Sequence, residues 1–206
     1  MNLFQHYKKQ SIMKLPVPDD LYDFVQKHTI HYDSSHDVDH AVQVTKNAYM
    51  IQQNEYPDFD KEIIIYAAML HDVCDHKYTS SITKEALEEY IFSKIHKKAE
   101  IVIDIINNIS YSSEVKGKCK LLQEPYNHYR DIVSDADKLE ALGPIGIARC
   151  ITYTSSRNGN LDDVIKHCHE KLLLLKNNFI RTKTGKILAE PLHQYIVDYV
   201  SNMNII

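Results

Sequence analysis

Glycine is scarce in this chain: five residues in 206. All-β folds need many tight turns with positive φ, so the scarcity argues against one. No two of the four cysteines (Cys74, Cys119, Cys150 and Cys168) form a CxxC pair, which leaves a zinc ribbon without support. A chain of this length does not call for a disulfide scaffold either, and reduced thiols in a cytoplasmic protein are the simple reading. The longest apolar run, Ile63 to Leu70, falls far short of the roughly 20 residues that span a bilayer. Met1 to Lys14 has no apolar core of the length a secretory signal requires. Basic residues are not in excess. The net charge is −4, which gives no electrostatic footprint for duplex nucleic acid. A small anion can still be held by local positive charge. Internal repeats, low-complexity tracts and convincing period-2 strands are all missing.

What remains is a chain with 44% apolar residues, enough for one core, arranged with helical periodicity. Pro16 and Pro18 separate a polar arm (residues 1–18) from a single domain (19–206). Asp19 or Asp20 can cap a helix to about His28. The stripe His40, Val44, Ala48, Ile51 marks a helix from about His36 to Asn54. Lys61 to about Val73 is apolar on most sides, as a central helix is. Further helices are expected from a Ser81 cap to Lys94, from Lys97 to Ile109, from Tyr126 to Leu142, from Gly146 to Tyr153, from Leu161 to Asn177 and from Ile187 to Met203. Ser110 to Lys120 reads as a loop, and Gly143-Pro144 as an interruption. The expected architecture is all-α, a compact bundle of about eight to ten helices.

Polar residues stand at places where a core would prefer apolar ones. His40 heads an apolar stripe. His71 and Asp72 follow the most apolar helix. Asp135 and Asp137 sit in the otherwise apolar-periodic helix of Ile132, Val133, Leu139 and Leu142. Burying an isolated carboxylate costs several kcal/mol or forces its protonation, whereas a divalent cation offsets the charge. Two imidazoles with two carboxylates suit manganese, iron, cobalt, nickel, magnesium or zinc, and leave positions for water and substrate. On a helical wheel Asp135 lies nearer the apolar face than Asp137, so periodicity by itself selects Asp135.

The order His40…His71-Asp72…Asp137 resembles the HD-domain metal-dependent phosphohydrolase superfamily. The segments HDVDHAVQV (36–44), AAMLHDVCDHKY (67–78), IVSDADKLEALGPIGIAR (132–149) and HEKLLLLK…TKTGKILAE (169–190) are similar to its small YedJ- and YpgQ-like hydrolases, over about residues 20 to 200. The resemblance implies an α-helical fold, one divalent cation (manganese favoured) and hydrolysis of phosphoester or phosphoanhydride bonds. It aligns Asp137 with the fourth ligand, leaving Asp135 as a supporting residue or the alternative ligand. It implies that Asp75 positions the attacking water and that His36 and Asp37 stand at the site entrance. Lys77, Lys138, Arg149 and Lys171 are the phosphate-contact candidates; Tyr111 and Tyr153 could stack on a base.

Gln43 and Lys138 stand where the family pattern has Arg, and Pro191-Leu192 replaces another family Arg. The additional HD-GYP block is missing, which argues against cyclic-dinucleotide cleavage. The expected activity is nucleotide (dNTP/NTP) pyrophosphohydrolysis. The alternatives are a nucleoside monophosphate phosphatase, a phosphodiesterase and a non-catalytic nucleotide-sensing metal-binding module. An oxygenase with two irons on the same scaffold is a third possibility, and would need more ligands than the four placed here. The expected partner is a small phosphorylated substrate, with no duplex nucleic acid and no membrane; the chain would act as a monomer or a homodimer.

Overall fold

The computed structural model describes residues 15–33, 35–75, 77–78 and 81–203. Most of the expected N-terminal arm (residues 1–14) lies outside the described residues, as do the Ser80 and His76 positions near two expected features. Among the described residues all regular structure is helical, and no strand occurs. The all-α expectation is met.

Helix α1 (Asp19–Thr29) starts with Asp19 and Asp20 in its first turn, where carboxylates favour the positive end of the helix dipole. Helix α2 (Val38–Glu55) is capped by Asp37, whose carboxylate accepts from the His40 amide at 3.0 Å. Helix α3 (Lys61–Leu70) is buried at every position from Ile63 to Leu70. A helix apolar all round can only be central, and α2, α5 (Ala99–Ile106) and α7 (Tyr126–Glu140) pack around it. Ile64, Met69 and Leu70 are among the fully enclosed side chains, each contributing on the order of 1.5–3 kcal/mol by its burial. Helix α4 (Lys84–Ile95) covers α5, and α6 (Tyr111–Val115) is a single short turn of helix.

The C-terminal part closes over α2 and α7. Helix α8 (Gly143–Ser156) packs against α10 (Lys183–Met203), which also touches α7 and α2. Between them α9 (Leu161–His167) widens into i→i+5 turns over Cys168–Leu172 and Leu175–Phe179.

Four local expectations are corrected. Thr83, not Ser81, caps α4, accepting from the Ala86 amide at 3.2 Å. The expected loop after Ser110 contains α6. The expected interruption is present but falls at Ala141 and Leu142, and Gly143-Pro144 opens α8 instead of lying ahead of it. Gly143 takes a φ of 68°, and a Cβ there would meet Leu192 Cδ2 at 2.8 Å. Proline at the next position loses no hydrogen bond, because first-turn amides have no helical partner. Lastly, the expected continuous helix from Leu161 to Asn177 changes pitch after His167.

Candidate metal centre

Three helices aim their polar exceptions at one point. The Asp37 cap fixes the start of α2 and leaves His40 in its first turn, buried. The chain of α3 continues past Leu70 in turns, with the Val73 amide on the Leu70 carbonyl (3.2 Å) and the Asp75 amide on the Asp72 carbonyl (3.2 Å). Those turns swing His71 and Asp72 towards α2. Helix α7 delivers Asp137. His40 Nε2 stands 3.5 Å from both Asp72 Oδ2 and Asp137 Oδ1. His71 Nε2 stands 3.2 Å from Asp72 Oδ2 and 3.7 Å from Asp137 Oδ1. The donor atoms of His40, His71 and Asp72 all lie within 4.8 Å of one another. Two atoms bound about 2.1 Å from a common ion at angles near 90–110° stand roughly 3.0–3.4 Å apart. The observed spacings are close to that.

The electrostatics point the same way. Burial disfavours charge on both imidazoles, yet the Asp72 and Asp137 carboxylates outweigh it. They raise the His40 pKa and hold that of His71 well above the ordinary histidine range. Burial likewise opposes ionisation of Asp72 and Asp137, and the facing imidazoles hold both well below the usual carboxylate range. His71 Nδ1 lies 2.8 Å from the Ala68 carbonyl, which only accepts, so Nδ1 carries a proton. Its Nε2 is buried without a hydrogen-bond partner. A buried ring nitrogen facing two carboxylates fits a divalent cation that would displace its proton, and the mixed nitrogen and oxygen donors suit a borderline metal.

The two aspartates of α7 divide their work. Asp135 is fully buried and accepts from the Arg181 amide (3.0 and 2.9 Å) and the Thr182 amide (2.7 Å). Its burial pushes the pKa up to about 6, against those hydrogen bonds. Its carboxylate fastens α7 to the start of α10; Asp137 is the one beside the imidazoles.

The expected phosphate contacts separate. Lys138 is buried, hydrogen-bonded to the Ser134 hydroxyl and paired with Glu114 Oε2 at 3.0 Å. Its charge is matched inside the protein by Glu114. Arg149 packs behind His40, its guanidinium 3.4 Å from Nδ1 and 3.4 Å from the Glu140 carbonyl. Lys171 comes from the widened turn after α9. Its ammonium stands 4.8 Å over the Tyr111 ring, and its burial lowers its pKa against the opposing pull of the Asp137 charge. Tyr153 is exposed on the outer part of α8 with Arg157 over its ring.

A second polar group lies beside the centre. Asp75 Oδ2 is 3.1 Å from Lys77 Nζ and 3.8 Å from His36 Nε2, and the His36 and His40 rings are 6.2 Å apart. Tyr78 and Asp33 complete this group, and sequence reasoning missed both. Tyr78 ends a segment already singled out for its motif, but nothing in a lone tyrosine marks a hydrogen-bonding role. Glu114, which closes over Lys138 and Arg181, was hidden in the stretch expected to be a loop.

Comparison with known proteins agrees with this geometry. The HD domain family model matches residues 37–142, the stretch that contains His40, His71, Asp72, Asp135 and Asp137. YpgQ of Bacillus subtilis (strain 168) is 30% identical over 178 residues, 82% of this chain and 83% of that protein. The crystal structure of Bacillus subtilis YpgQ in complex with ADP superposes with a TM-score of 0.73 at 26% identity, covering 90% of this chain and 94% of the other. An HD-superfamily hydrolase from Bacillus thuringiensis superposes with a TM-score of 0.68 at 26% identity, covering 90% and 93%.

Proposed function

From the premise that this chain belongs to the HD domain family, we propose that it is a metal-dependent phosphohydrolase whose substrate is a nucleotide, cleaved at a phosphoanhydride bond. The observation that carries this reading is the convergence of His40, His71, Asp72 and Asp137, with the His71 Nε2 atom buried among them and no hydrogen bond of good geometry to hold it. These four would hold one divalent cation. When bound, such an ion lowers the pKa of water and polarises a phosphoryl oxygen. Manganese is favoured among the candidates.

The residues of this chain divide the remaining work. Asp75 takes the proton of the attacking water; its carboxylate is mostly shielded from solvent yet lies off the four-residue cluster. The water oxygen bonds to phosphorus while the bridging P–O bond breaks, and the departing phosphate oxygen keeps the electron pair. Lys77 and Lys171 offset charge on the phosphoryl oxygens. The nucleotide class is supported by the ADP held in the crystal structure of YpgQ. Among nucleotide reactions, pyrophosphohydrolysis of a nucleoside triphosphate is our preferred one.

The test is a hydrolysis screen over nucleoside tri-, di- and monophosphates with manganese, magnesium, cobalt and nickel, with product identification. A triphosphate yielding monophosphate and pyrophosphate is expected. Turnover of monophosphates alone would replace the reading with a phosphatase. Asp75→Asn should keep its cation and lose about two or more orders of magnitude in kcat, the scale of general-base help. Parental turnover in that variant would remove Asp75 from the mechanism.

A further inference from the structure

The segment ahead of α2 and the segment after α3 are fastened together beside the candidate metal centre. The Tyr32 and Tyr78 rings stack with centroids 3.9 Å apart, and the Tyr32 hydroxyl donates to the Val73 carbonyl at 2.9 Å. The Tyr78 hydroxyl donates to Asp33 Oδ2 at 2.5 Å and lies 3.0 Å from His36 Nδ1. Asp33 Oδ1 is 3.3 Å from the same nitrogen and also receives the Ser35 amide and hydroxyl. On the far side of the ring, Nε2 is 3.2 Å from Lys77 Nζ, which in turn is 3.1 Å from Asp75 Oδ2.

The donor inventory settles which nitrogen of His36 carries the proton. An ammonium group can only donate, so Nε2 accepts from Lys77 and Nδ1 bears the hydrogen. That tautomer needs acceptors at Nδ1. Asp33 supplies one directly. It also takes the Tyr78 and Ser35 hydroxyl protons, which turns those hydroxyl oxygens into acceptors. With the opposite tautomer, N–H would face N–H and Lys77 would swing away. Lys77 is otherwise solvent-exposed on a flexible stem, and among the described residues its ammonium is placed by His36 and Asp75.

We propose that Tyr78 and Asp33 are positioning residues which, by fixing the His36 tautomer, hold the Lys77 ammonium beside Asp75 at the rim of the metal centre, where it meets a substrate phosphate. This rests on the phosphohydrolase reading, which assigns Lys77 its phosphate contact. A lysine already held in place loses less side-chain freedom on binding, and part of the affinity is therefore set by groups that never touch the ligand.

The probe is ADP, measured by calorimetry on manganese-loaded full-length protein, with metal content checked for each variant. Tyr78→Phe keeps the ring stack and removes the hydroxyl. It should weaken ADP binding about tenfold, the scale of one hydrogen bond to a charged network, with cation content unchanged. Asp33→Asn should act in the same direction, and serves if Tyr78→Phe folds poorly. Lys77→Met should weaken binding at least as much, and adding Tyr78→Phe to it should cost nothing more. Parental affinity in both Tyr78→Phe and Asp33→Asn overturns the proposal, as does a double variant that loses the full sum of the single effects. If Lys77→Met binds ADP as the parent does, the lysine contact and the proposal fall together. A parent that holds manganese but no ADP contradicts the nucleotide reading beneath both.

Discussion

The two aspartates of α7 separate cleanly at the level of single residues. The apolar pattern pointed to Asp135 because it is the more buried of the pair, and it is: no part of it reaches solvent. Burial, however, is a demand for partners and does not say which partners meet it. Here the Arg181 and Thr182 amides do. The motif alignment, which carries spatial information that periodicity lacks, marked Asp137. Asp137→Asn should therefore lower cation affinity steeply, and in the metal-free protein it should also remove the stabilisation that its carboxylate draws from the facing imidazoles. Asp135→Asn places an amide NH2 against backbone donors. It should cost about 1–3 kcal/mol of stability, the penalty of unsatisfied buried groups, while cation affinity changes far less. Denaturant melts and calorimetry on both variants check this; loss of cation affinity confined to Asp135→Asn would reverse the assignment.

Protons and cation compete at the same imidazoles. His40 and His71 have pKa values raised by Asp72 and Asp137. Below those raised values the rings carry protons that a cation must displace. Affinity should fall as pH drops, by as much as about a hundredfold per pH unit where both rings are protonated. In metal-free protein the histidine contribution has the opposite sign. It is fully present below the unfolded value of about 6.5 and is lost as pH rises through the raised native values. The depressed Asp72 and Asp137 contribute above about pH 3.9 and lose that contribution as pH falls through their native values. Chelator-treated protein should thus be most stable in mildly acidic buffer, and the manganese-loaded protein at higher pH. A metal-free protein that gains stability steadily from pH 6 to 9 would contradict this.

Among the elements, the long apolar-periodic helices α2, α3 and α7 were legible because tertiary packing and local pattern agree there. Caps and pitch changes were less so. Ser81 and Thr83 are both competent caps in sequence; only the fold shows that Thr83 faces the Ala86 amide. Thr83→Ala should destabilise by about 0.5–2 kcal/mol with activity retained, and Ser81→Ala should be close to neutral. Equal losses in urea titrations would mean that the cap is shared. The widened turns after α9 leave no mark in hydrophobic spacing, yet they carry Lys171 towards Asp137 and Lys77. Lys138 shows the reverse. Its basic character suggested a phosphate contact, but the short helix that supplies Glu114 was not foreseen, and that helix satisfies the lysine internally.

For the molecule as a whole, the chain carries a net charge of −4, and Lys77 stands beside Asp75 at the edge of the metal-type cluster, where positive charge is available to a small anion. Among the described residues no helix is long and apolar enough to cross a membrane. The HD domain match and the similarity to YpgQ over most of both chains place the centre within a hydrolase fold. The fold class was readable from what the sequence lacks, and the centre from polar residues out of place. The supporting clasp of Asp33, His36 and Tyr78 was not readable, because its logic is hydrogen-bond geometry between segments about 40 residues apart.

The most direct measurement of the central claim is cation stoichiometry together with hydrolysis, in the parent, in His71→Ala and in Asp72→Ala. Native mass spectrometry or elemental analysis after manganese loading should give about one ion per chain in the parent and none retained in either variant, and nucleotide hydrolysis should vanish with the ion. Losing either ligand removes a metal–ligand bond and leaves the remaining charged ligands poorly balanced. Full cation content and parental turnover in folded His71→Ala or Asp72→Ala would contradict the account.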